Sequence, residues 1–205
     1  MRRTTFLAAG LSLAVMAGNA SAMIELTTNG GFEAGDTSGW TSFPSGTSTF
    51  NVTGDANSGS FAAELFNNAP ASGAVIKQAN VGVGVVNPGE PVTISFAAKG
   101  SSAAGGVAFA EFFSEIAGGG TSAAGILGGG PLALTGAYQT FNFVVPAGAN
   151  VSGGVTLQFA AVTGGDPGSV SVLFIDDVSV SVVPEPASLA LLGLGGFAVA
   201  RRRRM

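Results

Sequence analysis

Between residues 23 and 183 the chain is built of short runs that alternate apolar with small or polar residues. Val92-Thr93-Ile94-Ser95-Phe96, Phe141-Asn142-Phe143-Val144, Val155-Thr156-Leu157-Gln158-Phe159 and Val178-Ser179-Val180-Ser181-Val182 all follow this pattern. A period of two is that of a half-buried strand, and no stretch carries the 3.6-residue period of an amphipathic helix. Turn-forming clusters at Asn29-Gly30-Gly31, Asn67-Asn68-Ala69-Pro70, Asn87-Pro88-Gly89 and Asp166-Pro167-Gly168 cut the runs apart. The pattern predicts an all-β domain, an antiparallel β-sandwich of jelly-roll type with about nine or ten strands. Ala117 to Pro131 holds seven glycines and few large side chains, and reads as a long mobile loop.

The ends differ from the body. Arg2 and Arg3 precede an apolar run, Phe6 to Ala17, and Ala20-Ser21-Ala22 offers the small-x-small pattern that signal peptidase accepts. Residues 1–22 therefore read as a signal peptide, in a short helix, with cleavage after Ala22. The run is too short for a transmembrane anchor, which needs about 20 apolar residues. At the other end, Pro184-Glu185-Pro186 leads into an uncharged stretch, Ala187 to Ala200, closed by Arg201, Arg202, Arg203 and Arg204. As a hydrophobic helix it would reach about 21 Å, short of a ~30 Å hydrocarbon core. It suits transient contact with the inner membrane as a transmembrane helix, with the arginines on the cytoplasmic side.

Pro184-Glu185-Pro186, the glycine-containing apolar segment 191–197 and the terminal arginines resemble the PEP-CTERM sorting signal. The resemblance covers residues 184–205. It implies recognition by a membrane-embedded exosortase, export by a Gram-negative bacterium that makes extracellular polysaccharide, and delivery to the cell surface or extracellular matrix. A plain tail anchor is the alternative, with the prolines as a helix-entry spacer.

Charge and residue usage narrow the chemistry. All six arginines lie at the two ends. In the body, Lys77 and Lys99 face eleven acids, a net charge of −9. That balance offers nothing to nucleic acid and disfavours acidic polymers. There is no cysteine and no histidine, which excludes disulfides, thiolate metal sites, histidine-based zinc hydrolysis and serine-histidine triads. The glycine-rich stretch lacks the Gly-Lys-Ser/Thr of a P-loop, Gly82-x-Gly84 lacks the third glycine of a dinucleotide fingerprint, and Asp55-x-Asn57 has Phe66 where an EF-hand needs glutamate.

Two segments resemble the galactose-binding-like jelly rolls found in many carbohydrate-binding modules. Asn29-Gly30-Gly31-Phe32-Glu33-x-Gly35 with Gly39-Trp40 is similar to their opening strand, and Phe174-Ile175-Asp176-Asp177-Val178-Ser179-Val180 to their closing strand. Segments 58–65 and 134–141 sit in the same order, so the resemblance spans most of residues 23–183. It implies that first and last strands lie together, bringing Glu33 to Asp176 and Asp177, where such residues often hold a structural calcium away from the sugar site. Alternation from Val178 and Val180 points Asp176 inward and Asp177 outward. Calcium and backbone donors are equally open as partners for the buried acid.

The resemblance implies framework packing for Trp40 and Tyr138, and the fifteen phenylalanines fall mostly on buried parity, which leaves few rings for stacking on sugars. Glu111 and Glu115 share a strand face but stand about 13 Å apart, beyond the ~5.5 Å and ~9.5 Å of glycosidase pairs. They read as charges on a solvated edge strand. The expected function is a non-catalytic exported protein associating with extracellular polysaccharide. A structural or adhesive exoprotein without a sugar site is the alternative, and a glycoside hydrolase the third reading.

Overall fold

The computed structural model describes residues 22–183. Eleven strands follow one another: β1 (Ile24–Glu25), β2 (Thr41–Phe43), β3 (Thr49–Thr53), β4 (Ala62–Asn67), β5 (Gly73–Val81), β6 (Pro91–Ala103), β7 (Val107–Glu115), β8 (Thr121–Ile126), β9 (Gln139–Pro146), β10 (Val155–Val162) and β11 (Val170–Val182). Every pairing is antiparallel. One sheet has the order β3-β4-β11-β6-β9, with β1 pairing on β11; the other runs β2-β5-β10-β7-β8. Among the described residues there is no α-helix, only a 3-10 turn at Leu127–Gly129, and no helix long and apolar enough to cross a membrane. The helices expected in 1–22 and 184–205 fall outside the described residues, apart from Ala22.

The core lies between the sheets, as the alternation requires. Along β7, Ala108, Ala110, Phe112 and Ser114 are buried, while the residues between them are half-buried on the other face. Phe32, Trp40, Phe96 and Phe159 form an aromatic centre: Trp40 stacks on Phe32 at 5.6 Å and Phe159 meets Phe96 edge-on at 4.9 Å. Trp40 is thus a core residue, and its Nε1 donates to the Asn29 carbonyl at 3.2 Å. A fully buried ring of this size is worth roughly 2–3 kcal/mol in area removed from water.

Two expectations are corrected. The stretch from Ala117 to Pro131 is not a free loop, since it contains β8, which pairs with β7 in a ladder that sets Ile126 opposite Glu111 and Ala123 opposite Ser114. An edge ladder is held by backbone hydrogen bonds, so alanine and glycine suffice, and buried Leu127 and Leu132 anchor its far end. It follows that β7 is an interior strand and that Glu111 does not lie on an edge. With the two short strands β1 and β2, β8 brings the count to eleven.

The second correction concerns β11. Leu173 and Ile175 point into the core, and so do Val178, Val180 and Val182. Odd positions turn inward before residue 176 and even positions after it. A β-bulge makes the change: the register against β6 slips between Asp176 and Ser179, and Asp177 takes φ +50°. Asp176 is directly opposite Ala97, which belongs to the outer face. It is fully buried, as expected, but beneath a loop on the outer side of the sheet rather than in the core.

Candidate functional site

Glu33, in the turns that follow β1, and Asp176 and Asp177 of β11 do come together around one loop, residues 57–61. Asp176 Oδ2 accepts the amides of Asn57 at 2.8 Å and Ser58 at 3.0 Å, and its Oδ1 accepts that of Asp177 at 2.7 Å. Glu33 Oε1 accepts the amides of Ser60 at 2.9 Å and Phe61 at 3.0 Å. Asp177, exposed, accepts from the Asn57 side-chain amide at 2.8 Å and the Ser58 hydroxyl at 2.6 Å. Gly30 makes this approach of the turn after β1 to β11 possible, because a Cβ there would stand 1.9 Å from the Val178 carbonyl oxygen.

A calcium ion needs six to eight oxygens converging on one point. Here the carboxylates instead spread over successive N–H donors of the loop. Among the described residues no group of three or more acids is spaced to hold a metal. The donor set does not fit calcium; it fits a loop clamp. Burial pushes the Asp176 carboxyl above its usual range, against the pull of the three amides.

Beside the clamp, on the same outer face, Lys99 pairs with Asp55 at 2.5 Å, its Nζ 4.7 Å from the Tyr138 ring centre and 5.0 Å from that of Phe174. The Tyr138 hydroxyl donates to the Asp55 carbonyl at 2.6 Å. Burial, with Asp176, Asp55 and Asp177 nearby, holds that phenol protonated well above its ordinary range. Lys99 thus lies over one face of each ring, and both rings are half-buried.

The other sheet presents a different surface. Residues directly opposite in an antiparallel ladder share a face. The register therefore sets Thr41, Lys77, Gln158, Glu111 and Ile126 in one row across all five strands, on the outer face. Gln158 Nε2 donates to Glu111 Oε2 at 2.6 Å, and Lys77 Nζ lies 5.0 Å from the Phe43 ring centre. The next row is Phe43, Val75, Ala160 and Phe109; on the other side stand Thr156, Phe113 and Ala124. Phe43 is 48% exposed, and Phe109 and Phe113 are half-buried. The polar row is about 19 Å wide at ~4.8 Å per strand. It offers carboxylate and amide acceptors and ammonium donors between phenyl rings, the combination that matches hydroxyl edges and C–H faces of a sugar.

Glu111 is thus part of this row, while Glu115 lies four residues along the same strand, a separation of about 13 Å that matches neither glycosidase geometry. Phe43, Lys77, Phe109, Phe113 and Gln158 were not singled out from sequence. One signal was there: Phe112 and Phe113 are adjacent in a strand, so one of the two rings must face outward. Of the terminal residues, Ala22 is exposed, while Ala20, Pro184, Glu185, Pro186 and Arg201 to Arg204 lie outside the described residues.

The fold is an antiparallel two-sheet β-sandwich, and comparison with solved structures finds the same architecture among carbohydrate-binding modules. A family 16 carbohydrate-binding module is similar with a TM-score of 0.52 and 13% identity, over 76% of this chain and 98% of that one. The CBM22-1 xylan-binding domain of Paenibacillus barcinonensis Xyn10C is similar with a TM-score of 0.51 and 18% identity, over 82% and 98%. The enzymatically active domain of bacteriophage CBA120 tailspike protein 4 is similar with a TM-score of 0.61 and 16% identity over 78% of this chain, which spans only 22% of that one. At such identities the likeness is one of fold. Comparison with curated proteins finds no sequence match. Residues 182–204 match the PEP-CTERM protein-sorting motif, so the chain carries this sorting signal at its C-terminus.

Proposed function

We propose that this is an exported, exosortase-processed protein of the cell surface or extracellular matrix that binds polysaccharide on the outer face of the β2-β5-β10-β7-β8 sheet without cleaving it. The observation that carries the reading is the cross-strand row Lys77–Gln158–Glu111 flanked by the rings of Phe43, Phe109 and Phe113. The sorting motif supports signal peptidase and exosortase as processing partners and a Gram-negative producer. With the body at −9, neutral glycans are the accessible class, and acidic ones are repelled.

Each hydrogen bond to the row competes with water and is worth only about 1 kcal/mol net, so single-site affinity near the millimolar level is expected. Many copies on one polymer would compensate through avidity. The test is affinity electrophoresis of residues 23–183 against neutral and acidic glycans, with reducing-sugar release measured in parallel. Retardation by a neutral glycan, lost in Lys77→Ala and Glu111→Ala, is the expected result. Retardation unchanged in both variants places the sugar site away from this row, and none with any glycan leaves a structural or adhesive exoprotein; steady sugar release makes it a hydrolase.

A further inference from the structure

The edge strands β8 and β9, one from each sheet, flank an apolar groove of about 410 Å³ lined by Phe112, Ile126, Leu127, Phe143 and Val145 among others. Along β9, Phe141, Phe143 and Val145 turn toward the core, and Thr140, Asn142 and Val144 turn outward. Val144, at 68%, is the most exposed large apolar side chain among the described residues.

Edge strands are normally guarded against pairing by lysine, inward charge, a bulge, an interior proline or shortness. β9 has none of these: it is eight residues long, uncharged and in unbroken register with β6, and its one proline is its last residue. Charge distribution singles out the same edge. From Ile116 to Gly165, fifty residues, there is no Asp, Glu, Lys or Arg, in a body that otherwise carries −9. The opposite edge of the sheet, β3, lies against Glu64 and runs into Asp55. Two copies of this acidic body repel each other over most of their surface and meet without charge at β9.

We propose that β9 is a self-association edge: two copies pair β9 with β9 antiparallel about a twofold axis, joining their β3-β4-β11-β6-β9 sheets into one continuous sheet. The core faces of both copies must stay aligned, so directly opposite residue numbers sum to an even value. Near the middle of the strand that places Asn142 or Phe143 on the axis. In the first register Val144 faces Thr140 of the second copy, and in the second Val145 faces its Phe141. The contact uses up both β9 edges, so assembly closes at the dimer instead of growing into a fibre. An edge about 27 Å long buries less than a permanent dimer does, which makes the association reversible, at micromolar or weaker affinity.

Residues 23–183 hold all eleven strands and their whole core, and therefore serve as the unit to test. Sedimentation equilibrium from about 10 μM to about 1 mM should show the mass rising toward twice the monomer, with more dimer at high salt as the acidic repulsion is screened. Thr140→Lys and Val144→Lys, both on the solvent side of β9, should each hold the protein monomeric with unchanged circular dichroism. A monomer at every concentration and salt level, a dimer that survives both lysine substitutions, or open-ended growth past the dimer would each overturn the proposal.

Discussion

Gln158 on β10 donates a 2.6 Å hydrogen bond from Nε2 to Glu111 Oε2 on the neighbouring strand β7, and this bond orients the carboxylate on an open sheet face. One carboxylate oxygen and the Gln158 carbonyl remain to accept from a ligand, with Lys77 directly across the strand as donor.

Glu111→Ala should weaken binding of a neutral glycan by about tenfold, the effect of losing one or two net hydrogen bonds. Stability should move by no more than about 0.5 kcal/mol, since the side chain stands outside the core. Calorimetric titration with thermal melting separates the two effects.

Asp176→Ala would leave three amides of the 57–61 loop and the bulge without their acceptor. A cost of about 2–4 kcal/mol is expected, which for a domain of this size lowers Tm by roughly 5–15 °C. Because the donor set suits a clamp and not calcium, adding or chelating calcium should leave the wild-type melting curve unchanged. A drop in Tm on chelation, absent in Asp176→Ala, would restore the metal reading.

Asp176 and Glu25 should respond to pH in opposite senses. Burial raises the folded-state value of Asp176, so the folded state holds the proton more tightly. Its contribution to stability is present below the unfolded value of 3.8 and declines as pH rises through the raised one. For Glu25 desolvation opposes ionisation, but hydrogen bonds from Ser179, Thr27 and Val180 outweigh it and lower the value. Its contribution is present above 4.5 and lost as pH falls through the depressed value. In melting series against pH, Asp176→Asn should remove the loss on the rising side and Glu25→Gln the loss on the falling side.

Exported protein should begin at Met23 and lack the segment after Pro184-Glu185-Pro186, consistent with the sorting motif at 182–204. Intact mass of material recovered outside the cell measures this. Residues 187–205 still attached to secreted protein would contradict exosortase processing.

The strand character of the body, the position of most turns and the terminal sorting motif were legible in the amino-acid order, because each depends on residues adjacent along the chain: a period of two, a turn cluster, a contiguous motif. Trp40 in the core and Glu33 beside Asp176 followed from the resemblance of two short segments. Tertiary structure alone decided the rest. The bulge at Asp176–Asp177 exchanges the two faces of β11, and one extra residue in a ladder leaves no trace in composition. β8 exists because β7 offers its backbone, so a stretch of alanine and glycine became a strand and moved Glu111 from the sheet edge to its interior. The row Lys77–Gln158–Glu111 joins residues 34 to 81 positions apart, and only strand order and register could bring them side by side.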